Sequence, residues 1–405
     1  MNAWLSAPEP STLLPAQRER KDSLSLSGLA QPLIASLLPK YMFKVNRKAL
    51  AAELSLLQIA LEKKGTIPIL SSVKMEFVNH LTLTATDAEI TLIAEIPGEG
   101  DPWSGCVPLK ILFSLVKLFE SGEVRFTERK NQRLEICSDG SKHTLPFERT
   151  EKFPAILFPS GTSVQIDGEA ISQMIGATSF WIRPDDIGLK PTERKQTGLS
   201  FRSNGESLEV MAFQRTVTAI ATAKFDLPEF GFILPRQAVI ALGKLQCALS
   251  SIWESGRVSF KGENRTLITQ ILEGQFPSWR AFLPKYEHSV SVSGTLRAAL
   301  KRALITTGNG PKTFEALKLT FAKTFIKIES RGGDTGQSEE ILETRSNLNG
   351  NEIVIGINAK QLLEALSVAE PSTCEILSPE QPLVFITNTE GYELRFLTMP
   401  CRLNF

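Results

Sequence analysis

The sequence predicts an α+β chain of three tandem, similar domains, each a doubled strand–helix–strands unit with helices in one layer and antiparallel sheets in the other. Three observations carry the prediction. A short alternating strand runs directly into an amphipathic helix three times; a second strand–helix junction recurs once in each segment; and strands of alternating polarity follow every helix. Packing the helices on one side of antiparallel sheets buries all of these apolar faces together.

The first junctions fall at residues 43–64, 164–183 and 290–306. In the first, Leu50, Leu54, Leu57 and Leu61 form one helical stripe; in the third, Leu296, Leu300 and Leu304 do the same. Strands are expected next at 73–77 and 81–86, at 199–202 and 208–212, and at 317–321 and 325–329. The second junctions begin at Cys106, Ile233 and Ile355, and strands follow each, as at 122–126, 257–261 and 384–388. The repeat is therefore about 120 residues long. Domain limits of 42–160, 161–286 and 287–405 follow, with linkers near 158–163 and 284–289. Residues 1–41, with Pro8, Pro10, Pro15, many serines and the charged cluster at 18–22, are expected to be a poorly ordered extension. Met42 is an alternative start.

Short strands in three like domains can pair edge to edge, which hides the edges and builds a curved wall. An arc of this kind leaves two edges that a second copy satisfies, giving a head-to-tail ring. Charge then points to what such a ring surrounds. The chain of 405 residues carries a formal charge of only +1. Yet the six expected helices (47–64, 108–119, 169–183, 235–245, 295–306 and 358–366) hold thirteen Lys or Arg against four Glu, a surplus of +9. A near-neutral chain that gathers positive charge on one layer presents that layer to a polyanion.

Other classes find little support. Five scattered cysteines, none in a C-x-x-C pair, fit free thiols in a reducing cytoplasm and exclude a disulfide framework or zinc ribbon. No apolar run reaches the ~18 residues of a membrane span. Asp87 and Glu89, placed on one face of a strand, resemble the opening of a two-metal nuclease site, but the acidic and His partners such a site needs do not follow. Residues 308–313 (Gly-Asn-Gly-Pro-Lys-Thr) lack the upstream glycine of a phosphate loop, and Pro311 interrupts them. No catalytic residues, metal site or cofactor are expected.

Five segments, in this order along the repeats, resemble the beta subunit of bacterial DNA polymerase III, the sliding-clamp family. They are Gly65-Thr-Ile-Pro-Ile-Leu70, Leu81-Thr-Leu-Thr-Ala-Thr-Asp87, Gly274-Gln-Phe-Pro-Ser-Trp-Arg-Ala-Phe-Leu-Pro284, Glu339-Glu-Ile-Leu342 and Thr398-Met-Pro-Cys-Arg-Leu403. The resemblance runs from Met42 to Leu403. It implies three tandem DNA-clamp domains per protomer, with helices on the inner face and sheets outside. It further implies a cytoplasmic homodimeric ring that encircles duplex DNA without sequence preference. Such a ring is opened by an ATP-driven clamp loader and tethers the polymerase III catalytic subunit and other proteins bearing a clamp-binding motif.

Transferred position by position, the resemblance and the helix charges together give a DNA-facing set of Lys64, Lys110, Arg236, Lys244, Arg297 and Lys301. A cleft for short partner peptides is expected from Pro277, Phe282, Leu397, Met399, Pro400, Cys401, Arg402 and Leu403. The dimer edge is expected at His143 and Leu145 against Ile305 and Thr306. Two places depart from the family. The second cleft wall, normally a Thr-Asp-Gly-His-Arg-Leu-like stretch, reads Phe-Gln-Arg-Thr-Val-Thr at 213–218, so Phe213 or Arg215 is expected to fill space there. His143 stands where a large apolar residue is usual, and Asn404 and Phe405 extend the end, with Phe405 a possible occupant of the cleft. These departures motivate the alternative of a divergent second clamp, with weakened closure or altered partners, serving repair synthesis.

Overall fold

Backbone hydrogen bonds decide how the repeats join. The computed structural model describes residues 42–403 apart from 63–66, 121, 162, 185–189, 215, 246–248, 255, 282, 306–315 and 332–335. Among the described residues the chain runs three times through the same order of eight strands and two α-helices. The first run is β1 (Met42–Asn46), α1 (Arg47–Leu57), β2 (Ser72–Phe77), β3 (His80–Thr86), β4 (Ile90–Gly100), β5 (Trp103–Pro108), α2 (Leu109–Leu118), β6 (Glu123–Arg129), β7 (Arg133–Ser138) and β8 (Ser141–Pro146). The second is β9 (Val164–Ile166), α3 (Gly168–Thr178), β10 (Gly198–Ser203), β11 (Ser207–Phe213), β12 (Val217–Lys224), β13 (Phe230–Pro235), α4 (Arg236–Leu242), β14 (Leu249–Glu254), β15 (Arg257–Lys261) and β16 (Arg265–Gln270). The third is β17 (His288–Ser291), α5 (Thr295–Ile305), β18 (Ala316–Phe321), β19 (Phe325–Arg331), β20 (Gln337–Glu343), β21 (Ile353–Asn358), α6 (Ala359–Val368), β22 (Thr373–Ile376), β23 (Leu383–Asn388) and β24 (Glu393–Thr398).

Helix starts are set by side chains that satisfy the first free N–H groups. Asn46, Asp167 and Asn358 cap α1, α3 and α6, while Pro108 and Pro235 precede α2 and α4. Three helices end earlier than the sequence pattern implies. The first gives way to a 3-10 turn at Gln58–Ala60, so Leu61 is buried outside it. The third stops at Thr178 and passes through Ser179–Trp181 into extended backbone, because Pro184 disfavours helical dihedrals at Arg183. Gly243 caps α4, three residues short of the expected end. With these limits the helices hold nine Lys or Arg against three Glu, a surplus of +6 instead of +9.

The sheets cross the repeat boundaries. Strand β4 of the first run pairs antiparallel with β16 of the second, from Ile90↔Thr269 to Ala94↔Arg265. Strand β12 of the second pairs in the same sense with β24 of the third, from Val217↔Thr398 to Thr222↔Glu393. Among the described residues the corresponding strands left over, β20 and β8, each have one neighbour and end their sheets.

One face of each sheet carries the helices. Leu50, Leu54 and Leu57 of α1 are fully buried against Phe43, Phe77 and Phe126, whose rings stack 4.8 to 4.9 Å apart. Each such side chain contributes roughly 1.5–3 kcal/mol on burial. Across the first junction Arg265 on β16 grips Glu53 on α1 with two hydrogen bonds of 2.9 and 2.7 Å, and its third nitrogen donates to the carbonyl of Lys244 at 3.2 Å. Across the second junction Trp181 packs on Phe396 at 5.1 Å.

After its last strand, each run folds back on its fifth strand. Cys106 bridges to Glu148, Ile233 to Leu272, and Gly356 accepts from the N–H of Cys401 at 2.8 Å. A Cβ at Gly356 would collide with the carbonyl oxygen of Cys401 and with Leu403, so this close approach requires glycine. Asp87 and Glu89 are not on one strand face as expected. They sit in the β3–β4 turn, where Asp87 Oδ1 accepts from the N–H of Glu89 and of Ile90 and Ala88 has a positive φ of 77°. Asp87 is thus a turn-forming residue.

Arg265→Ala leaves Glu53 buried without its partner and is expected to cost about 3 kcal/mol of stability in urea unfolding, whereas Glu53→Leu with Arg265→Met recovers most of it. Gly356→Ala is expected to cost about 1–3 kcal/mol and to speed labelling of Cys401 by a thiol reagent.

Candidate nucleic-acid interface and partner surfaces

The basic side chains singled out above lie on the helix layer. Lys110 at the start of α2, Lys301 on α5, Arg236 at the start of α4 and Lys244 just after it are exposed. Arg297 on α5 is half-buried, one turn from Lys301 on the same helix face. Lys64 lies outside the described residues. Three further exposed lysines belong to the same layer and were not singled out: Lys48 on α1, Lys117 one heptad beyond Lys110, and Lys360 on α6. All three were legible in the helix charge count. Arg302 has another role: it holds Glu340 of β20 with hydrogen bonds of 2.8 and 2.6 Å. That guanidinium keeps the Glu340 carboxyl below the usual carboxylate range.

The cleft forms on the sheet where β12 meets β24. Met211, Ile220, Ile233, Phe276, Trp279, Val384, Ile386 and Leu397 make a small second core there, beneath the linker from the second run to the third. Above it is a cavity of about 310 Å³. Its walls are Phe213, Gln214, Thr216, Val217 and Thr218 from the β11–β12 turn, Pro277, Trp279 and Leu283 from the linker, Gln381 and Pro382, and Leu397, Thr398 and Met399. The structure therefore brings together Pro277, Leu397 and Met399 of the expected set. Phe282, Arg215, Asn404 and Phe405 lie outside the described residues.

Pro400, Cys401, Arg402 and Leu403 do not line the cavity. Cys401 and Leu403 instead cover the edge of β21 at Gly356, the fold-back contact that each run makes. The divergent 213–218 stretch does form a wall, and Phe213 packs on Phe276 at 5.9 Å. The N–H of Met399 donates to Thr216 at 2.9 Å, and Gln214 Nε2 donates to the Trp181 carbonyl at 2.8 Å, so the wall is tied to both sides. Trp279, within the 274–284 segment, is a wall residue that the sequence reading missed. Arg280 stacks on its ring at 4.3 Å and pairs with Glu209.

At the ends of the arc, Leu145 is buried in β8, while His143 is half-buried with its ring 5.8 Å from Phe119. Ile305 at the end of α5 is 74% exposed; Thr306 lies outside the described residues. Ile111 and Leu118 on α2 are also exposed, with half-buried Leu115 between them, and Ile341 projects from β20. Of these exposed apolar residues, only Ile341 lies on an edge strand; the others are on helices of the first and third runs. Among the described residues no group of three or more His, Cys, Asp or Glu side chains is placed to hold a metal ion, and no helix is long and apolar enough to cross a membrane.

Residues 41–157 match the model of the DNA polymerase III beta subunit, N-terminal domain, and residues 280–402 that of its C-terminal domain. The beta sliding clamps of Vibrio cholerae and Escherichia coli are each 24% identical to the chain, over 374 and 382 residues, covering 89% of it and all of their own length. Among solved structures, the sliding clamp of Pseudomonas aeruginosa bound to griselimycin superposes with a TM-score of 0.81 at 21% identity, covering 90% of this chain and 100% of that one. The clamp of Bacillus subtilis superposes with a TM-score of 0.80 at 20% identity, covering 90% and 99%. The threefold run of strands and helices, the sheets that cross its boundaries and these matches agree: the chain belongs to the DNA polymerase III beta subunit family.

Proposed function

We propose that this chain is a sliding clamp: two copies close head to tail into a ring around duplex DNA and tether a DNA polymerase to it for processive synthesis. One observation supports the reading above the others. Of three equivalent pairings between a third hairpin strand and a last strand, β4·β16 and β12·β24 are made within the chain, and β20 and β8 are left with one neighbour each. A second copy completes the set at both ends and leaves no open edge at either junction.

The chemistry asked of the helix layer is modest. Lys48, Lys110, Lys117, Arg236, Lys244, Lys301 and Lys360 offer point charges to phosphates, contacts that are independent of sequence and exchange readily with counterions. Retention comes from topology, so tight binding is unnecessary and would oppose sliding. The ring performs no bond-making step; opening and loading fall to an ATP-driven loader. Polymerase and loader dock through short peptides whose apolar anchors enter the 310 Å³ cavity above the β12–β24 pairing. The setting is the cytoplasm, with the replicating DNA.

A second reading, a divergent clamp serving repair synthesis, is favoured by one feature: the altered 213–218 stretch forms a wall of the cavity itself. Partner choice therefore separates the two. A replicative clamp extends polymerase runs on primed circular DNA with the replicative polymerase; a repair clamp does so only with another.

The protein, once loaded on closed circular DNA, is expected to stay bound through gel filtration in high salt and to be released when the circle is cut. Release at the same rate from intact and cut circles would overturn the ring. Lys110→Glu with Lys301→Glu is expected to lower loading on DNA by about tenfold at low salt while leaving thermal stability within about 1 kcal/mol.

A further inference from the structure

The threefold pattern also supplies the register of closure, and the side chains in that register differ from those at the two internal junctions. The reading rests on the ring proposed above. The last pairs of the equivalent hairpins are Thr86↔Thr91, Phe213↔Thr218 and Arg331↔Gln337. One step inward come Ala85↔Leu92, Ala212↔Ala219 and Ser330↔Ser338. Across the internal junctions Leu92 meets Leu267, and Ala219 meets Phe396.

On the other side of each junction, Leu267 pairs with Phe260 and Phe396 with Phe385, both buried in the next-to-last strand. The corresponding pair in the first run is Ile136↔His143. His143 is thus the counterpart of Leu267 and Phe396. The neighbouring row agrees: Thr269 and Thr398, which face Ile90 and Val217, correspond to Leu145.

Continuing the register to a second copy puts His143 opposite Ser338 and Lys142 opposite Glu339. The internal rows Ala85–Leu92–Leu267 and Ala212–Ala219–Phe396 are apolar throughout. The closing row is Ser330–Ser338–His143, and the two serine hydroxyls already share a hydrogen bond of 2.8 Å. On the opposite face, Lys142 is 67% exposed and lies 4.0 Å from Glu135. Glu339 is 54% exposed and is held by Lys327 at 2.8 Å. Strand β20 carries Glu339 and Glu343 and β8 carries Lys142, so the two edges are opposite in charge.

We infer that the ring of this protein closes through a polar strand contact, His143 on Ser338 and Lys142 on Glu339, that recognises a second copy of the same chain. Directly opposed charges on antiparallel strands attract, and like charges there repel. Both residues are exposed in the single chain, so their attraction is screened by salt. The apolar share of closure falls to the helices. Internally, α4 packs on the 3-10 turn after α1; the equivalent external pair is α2, with Ile111, Leu115 and Leu118, against the end of α5 at Ile305. Closure that is polar along the strands and apolar only at the helices separates more readily than either internal junction.

The test is the dimer dissociation constant of the full chain by sedimentation, at about 50 mM and about 500 mM NaCl. The wild type is expected to dissociate more readily at the higher salt. Lys142→Glu and Glu339→Lys are each expected to weaken the dimer by roughly tenfold or more, since each ring has two closing edges. The combined Lys142→Glu/Glu339→Lys protein is expected to recover most of that loss, which also shows that the single variants are folded. His143→Leu with Ser330→Ala and Ser338→Ala makes the closing row apolar and is expected to slow subunit exchange. A dimer that ignores the single swaps, or that the combined swap fails to restore, overturns this register and leaves the ring standing. A chain that stays monomeric at every concentration overturns both.

Discussion

An unpaired strand edge is the constraint on which the rest of this structure depends. Every backbone N–H and C=O at an edge needs a partner or water, and a row of them attracts any strand of compatible twist. The chain meets this demand by a single device used repeatedly. The fourth strand of one run accepts the last strand of the next, and the segment after the last strand turns back to cover the fifth. Curvature, the layer of helices on one face and the incomplete pair at the chain's two ends all follow from repeating that device three times.

The two internal junctions reach the same geometry with different side chains. The first is locked by the Glu53–Arg265 ion pair over an apolar row; the second relies on Trp181 packed against Phe396 and on the small core beneath the cleft. Locating the cleft at the second junction has a physical reason. There the linker from Phe276 to Leu283 crosses the sheet, and its Trp279 and Pro277 stand above the strands, leaving an apolar hollow between linker and sheet. The opposite wall comes from the β11–β12 turn, so the cleft is lined by a linker on one side and a hairpin on the other.

Electrostatics is divided between layers. The helices keep a surplus of positive charge even within their shorter limits, nine Lys or Arg against three Glu. Two carboxylates at this layer are held by arginines, Glu53 by Arg265 and Glu340 by Arg302. The lysines are left to face solvent or a polyanion. Arginine's planar fork suits the fixed pairs, and the compact, hydrated lysine head suits contacts that form and break.

Much of this was determined by the sequence alone. Period and order of apolar residues specified three doubled units, and the count of charges on the helices named the basic layer, since both depend only on local spacing. The tertiary structure decided what depends on distant partners. It moved Asp87 from a strand face into a turn, where its carboxylate accepts two backbone N–H groups. It took Cys401 and Leu403 away from the cleft, because a glycine 45 residues earlier on β21 leaves room for them. It brought Trp279 and the 213–218 stretch into the cleft wall, a contact between segments that no local pattern links. Above all, pairing register is a property of two strands at once. Only the folded chain could reveal that His143 stands where its internal counterparts are Leu267 and Phe396.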